Sequence, residues 1–130
     1  MPDAPANIPT FESDIAKYWF EDGILISDSK SVLRTVDNIS QNALLVKQIT
    51  NNTPALLLIY LSDSPIPDKA TRQLSTEILP TIYKAMAMVS KPGLSQFIMK
   101  ILFKLKQPPI PMKSFTNADE AKAWLNKFKQ

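Results

Sequence analysis

The sequence predicts one α/β domain, a mixed sheet carrying about four helices, with an antiparallel hairpin leading into parallel strands. Three observations carry this reading. Asp22-Gly23 stands between two apolar runs, and this dipeptide is the strongest short-range hairpin signal because a type I′ turn needs positive φ at both central positions. Residues 55–61 are seven consecutive apolar residues, which suits a central strand covered on both faces. Beyond them, segments of helical period alternate with short apolar runs, the pattern of crossover helices over a sheet.

The elements follow in chain order. Pro2, Pro5 and Pro9 mark residues 1–10 as a loose arm, leaving residues 11–130 as the domain. Residues 16–21 and 24–27 form the hairpin. A helix is expected over 36–51, capped by Thr35, with Val36, Ile39, Ala43 and Val46 turned inward. Pro54 pushes the residue before it out of helical space and ends that helix. The strand at 55–61 comes next, then a loop at 62–67 with two prolines, then a helix from Asp68 to about Leu79 that Pro80 should stop or kink. Residues 85–89 read as a second central strand, whose alternating Ala and Met leave room for close helices. A helix over 94–106 follows the Lys91-Pro92-Gly93 turn. A short strand at 112–115 then precedes a last helix, opened by Asn117 with Glu120 as a capping box and packed through Ala121, Trp124, Leu125 and Phe128.

Composition narrows the function. The 130 residues are 45% hydrophobic with only two glycines, the profile of a packed globule rather than a disordered chain. No cysteine is present, so disulfide and thiolate chemistry are excluded, and no histidine is present to act as base or metal ligand. With no nucleophile–base pair, glycine-rich phosphate loop or ligand cluster, neither an enzyme, a metal site nor a cofactor is expected. Acid–base work could in principle fall to Asp63 and Asp68 near a strand end, where open α/β sheets take ligands. The chain begins without the basic and apolar regions of a signal peptide, and no apolar run approaches the roughly 20 residues of a membrane span, so a cytoplasmic protein is expected.

The net charge of +3 divides into −4 over residues 1–65 and +7 over 66–130. Such a division can steer an anionic partner or let two copies meet acidic to basic. The basic residues are dispersed and no nucleic-acid motif interleaves them, so nucleic acid is not an expected partner. The helix at 94–106 carries the sharper signal. Leu94, Phe97, Ile98, Ile101, Leu102 and Leu105 fall on one stripe, while Met99 and Phe103 fall on the reverse side beside Lys100, Lys104 and Lys106. A second apolar face implies a partner, most simply a second copy of the chain.

The order of elements resembles the STAS domain of bacterial anti-sigma-factor antagonists, and more narrowly small stand-alone STAS-like proteins. The resemblance rests on the Asp22-Gly23 hairpin with Ile24-Leu25-Ile26, on the strand Lys84-Ala85-Met86-Ala87-Met88-Val89, and on residues 108–125. It implies a non-catalytic protein-interaction or regulatory module. STAS antagonists carry a phosphorylatable serine where this chain has Pro67, Asp68, Lys69 and Ala70, so the resemblance does not extend to that switch. Ser62 and Ser64 are the nearest serines, and Asp68 sits at the helix start as a cap or a fixed negative charge. The expected binding surface is therefore Met99, Lys100, Phe103 and Lys104 together with Ser62, Asp63, Ser64 and Asp68. The alternative is a carrier of a lipid or apolar ligand. Some stand-alone STAS-like proteins resemble CRAL-TRIO carriers, and Met86, Met88, Phe97, Met99, Phe103 and Met112 would suit such a pocket.

Overall fold

The computed structural model describes residues 4–91, 93–94 and 108–129. Its sheet has six strands in sequential order: β1 (Phe11–Glu12), β2 (Ala16–Glu21), β3 (Ile24–Ser29), β4 (Ala55–Tyr60), β5 (Tyr83–Val89) and β6 (Met112–Phe115). β1, β2 and β3 pair antiparallel, and β3 to β6 pair parallel. Three helices lie among the described residues: α1 (Val36–Ile49), α2 (Lys69–Ile82) and α3 (Ala118–Asn126). The fourth expected helix, at 94–106, lies outside the described residues apart from Leu94.

Local chemistry accounts for most of the boundaries. Asp22 (φ 52°) and Gly23 (φ 78°) are both left-handed, the backbone a type I′ turn demands, so the hairpin forms where Asp-Gly stands. Thr35 Oγ1 accepts the Asn38 N–H at 3.1 Å and Asn38 Oδ1 accepts the Thr35 N–H at 2.8 Å, closing a reciprocal cap on α1. Asn51 (φ 54°) and Asn52 (φ 59°) turn left-handed just after α1, which ends it at Ile49 rather than 51. Asp68 and Asn117 cap α2 and α3 through the Thr71 and Glu120 N–H groups, each at 2.9 Å.

Four expectations need correction. Val36 does not join the buried stripe: it is 45% exposed, and the inward face of α1 starts a turn later, with Ile39, Asn42, Ala43 and Val46. Pro80 neither stops nor delays α2, which runs to Ile82 and passes straight into β5. The last turn stays closed beyond the proline, since the Thr81 hydroxyl donates to Ile78 O and the Tyr83 N–H donates to Leu79 O. Trp124 is half-buried, stacking between Phe115 and Phe128, while Leu125 beside it is fully buried. The chain before the hairpin also contributes a strand, β1, and Ala4 and Ile8 pack onto the core.

The sheet separates two cores. On one face α1 and α2 cover Tyr18, Leu25, Leu57, Tyr83, Met86 and Met88. On the other, α3 covers Trp19, Ile24, Ile26, Leu56, Leu58, Ala85 and Ala87. The alternation of side chains along a strand thus sends the methionines of β5 to one face and its alanines to the other. Glu21 ties the α3 face at its edge, accepting from Trp19 Nε1 at 2.6 Å and from Lys122 Nζ at 2.7 Å. The Lys122 ammonium, then the indole N–H, holds the Glu21 carboxyl below its ordinary value.

Candidate functional site

The carboxyl ends of β3 and β4 meet the loop at 61–67, and a cavity of about 470 Å³ opens there beneath α2. Small residues at inward positions create it. Ser29 ends β3 on the α1/α2 face, and Ser75 lies on α2 four residues from both Thr71 and Leu79, which are buried. Neither serine fills the space that a leucine would, and Ile39, Ile59, Met86, Met88 and Met112 form apolar walls around the gap.

Arg34 organises the polar end. Its Nη2 donates to Ser29 Oγ at 2.7 Å and to Ile15 O at 3.1 Å. Its Nη1 donates to Ser64 Oγ and Val32 O, both at 2.8 Å, and to Lys30 O. Ser62 Oγ donates to Ser29 Oγ at 3.2 Å and lies 3.5 Å from Ser64 Oγ, which also donates to Lys30 O at 3.3 Å. One guanidinium therefore joins three segments of chain that are remote in sequence. Burial lowers the Arg34 pKa from its ordinary value, and among the described residues no carboxylate lies within ion-pair distance of it. Arg72 of α2 lines the same cavity and donates to Pro67 O at 2.7 Å.

The Ser29 and Ser64 oxygens accept from a cation, which withdraws electron density from them, and none of the three serines donates to a carboxylate among the hydrogen bonds of the described residues. Among the described residues no three acidic side chains gather as a metal site would require. No described helix is long and apolar enough to cross a membrane.

The structure brings some of the expected binding residues together and not others. Ser62, Asp63 and Ser64 all line the cavity, Asp63 as an exposed residue of its rim. Asp68 is not among the lining residues. It caps α2, and the Thr71 N–H it accepts holds its carboxyl below the ordinary value, which is the plain helix-cap reading. Met99, Lys100, Phe103 and Lys104 lie outside the described residues. Ser29, Arg34 and Arg72 were missed. Ser29 looks like an ordinary strand end and Arg34 like a loop cation, and their meeting with Ser64 comes from the parallel pairing of β3 with β4.

A surface feature flanks the polar cluster. Five large apolar side chains are exposed among the described residues, and four of them, Val32, Leu33, Val36 and Ile66, lie within two residues in sequence of Arg34 or Ser64. The Arg34–Ser64 hydrogen bond draws their two loops together. The fifth, Leu44, lies further along α1.

Comparison with known proteins speaks first to fold. The model of the family described as "Domain of unknown function (DUF7793)" matches residues 18–129. No curated protein matches. Among solved structures, an uncharacterized protein of the DUF3478 family with a SpoIIAA-like fold, from Shewanella loihica PV-4, superposes with a TM-score of 0.58. The two share 16% identity, and the match covers 91% of each chain. The likeness supports the STAS-like α/β fold that the sequence resemblance implies, and carries no function with it.

Proposed function

The chain belongs to the DUF7793 family, and we propose that it is a non-catalytic, STAS-like regulatory module that docks a partner at the carboxyl ends of β3 and β4. The observation that carries this reading is the apolar rim of Val32, Leu33, Val36 and Ile66 beside the Arg34–Ser64 junction. Scattered exposed hydrophobes need no explanation, but four gathered on two adjoining loops and the first residue of α1 are what a contact surface requires. The loops are also held by the Arg34 hydrogen bonds, so a partner meets a formed surface and less ordering entropy is lost on docking.

The partner is a second copy of the chain. An apolar patch is complementary to itself, so a two-fold contact needs no further matching. The opposite charges of the two halves of the sequence then assist encounter. Light scattering on the eluting protein tests this. The parent should have twice the chain mass, and Leu33→Asp with Val36→Asp should give a folded monomer with the parent's circular dichroism. A monomeric parent, or a variant that remains dimeric, would refute this reading of the rim.

A further inference from the structure

The cavity beneath α2 adjoins the docking rim through Ile66 and has its own chemistry. At about 470 Å³ it falls in the range of small-molecule sites, and its walls are mostly apolar with convergent polar groups at one end. Two guanidinium groups, Arg34 and Arg72, line it, while Asp63 on its rim is the only carboxylate among the described lining residues. From this juxtaposition we propose that the cavity binds a small monocarboxylate with an apolar body, its head at Ser29, Ser62 and Ser64 and its body against Ile59, Met86 and Met88.

The hydrogen bonds support an anion at that end. Ser29 Oγ accepts from both Arg34 Nη2 and Ser62 Oγ, so its own O–H is left to donate, and no acceptor for it stands among the described residues. Ser29 is only 7% exposed, so that hydrogen has little access to water. A carboxylate at the cluster would accept it, while the guanidinium behind the serines compensates the charge. The Arg34 bonds to Ile15 O and Val32 O would stay in place. One charge suits the site better than two, because the Asp63 carboxylate at the rim opposes a dianion such as a phosphate monoester. The apolar wall is tolerant in shape, since Met86, Met88 and Met112 adapt to irregular bodies.

Calorimetric titration with sodium octanoate, 1-octanol and inorganic phosphate tests the proposal. Octanoate should bind the parent at least tenfold more tightly than 1-octanol, and phosphate alone should give no heat of binding. Arg34→Gln should abolish the preference for octanoate while leaving 1-octanol unchanged. Ser75→Leu, which fills the apolar end and leaves the serines alone, should remove binding of both. Where Arg34→Gln fails to fold by circular dichroism, Ser29→Ala carries the same expectation. Equal affinity for octanoate and octanol, or octanoate binding untouched by Ser75→Leu, overturns the proposal. The rim variant Leu33→Asp with Val36→Asp, neither of which lines the cavity, should bind octanoate as the parent does, so a failure of the docking reading is told apart from a failure of this one.

Discussion

The two faces of the sheet are built from the same strands and do different work. On the α3 face, Ala85, Ala87 and Ala121 are fully buried and let the helix backbone lie close to β5, with Leu58 and Leu125 filling the remainder. On the α1/α2 face the same strand presents Met86 and Met88, and the buried set includes Tyr18, Tyr83, Asn42, Ser27 and Ser29. Tyr18 donates to Asn42 Oδ1 at 3.0 Å and Ser13 donates to the same oxygen at 2.7 Å, so these side chains satisfy one another inside that core. The lesson is that one face is closed by small-on-large packing, whereas the other accepts polar groups and a cavity. A binding site can be placed only on the second without breaking the packing of the first.

Truncation on the closed face should have the largest effect. Leu125→Ala removes a fully buried side chain between α3 and the sheet, and should cost about 2–5 kcal/mol in chemical denaturation. Trp124→Ala should cost less, since the indole is half-buried at the rim of the same face. If Trp124→Ala is the more damaging of the two, α3 is anchored by its aromatic rim and not by its alanine–leucine stripe.

A pH scan sharpens the contrast from the other side. Burial pushes the Tyr83 phenol well up from its ordinary value, and burial likewise raises Tyr18. A raised folded pKa means that the unfolded chain loses its phenolic proton first. Stability from this source is therefore fully present below the ordinary tyrosine range, about pH 10, and falls as pH rises above it. Tyr83→Phe should flatten that alkaline fall, read by thermal melts between pH 8 and 11 (an order-of-magnitude span about the same value). Unchanged alkaline sensitivity would mean that the phenols reach water and that this face is not closed around them.

How much of this was legible in the sequence depends on the range of the interactions. Asp22-Gly23, Thr35, Asp68 and Asn117 act on their own neighbours, so the hairpin and three helix starts could be read directly. The alternating Ala and Met of β5 read as leaving room for close helices, and period two along the strand is what divides them between the two faces. Asp63 was reachable because ligands of α/β sheets gather beyond strand ends, and Ser62 and Ser64 because they stand nearest the position of the phosphorylated serine in the STAS domains the chain resembles. Arg34 was not, since its partners Ser29 and Ser64 are 5 and 30 residues away and meet only when β3 and β4 pair. Val36 misled because apolar spacing cannot tell a buried stripe from an exposed rim at the first turn of a helix.

The unlikeness of the two faces is tested most directly by adding the same side chain to each. Ala87→Leu inserts bulk where the α3 face is already full and should destabilise by about 1–3 kcal/mol. Ser75→Leu inserts it into the cavity and should leave stability unchanged or raise it by about 0.5–2 kcal/mol. Urea denaturation of the pair with the parent gives both numbers in one experiment. Opposite outcomes are what the account predicts, and a Ser75→Leu variant as damaged as Ala87→Leu would contradict it.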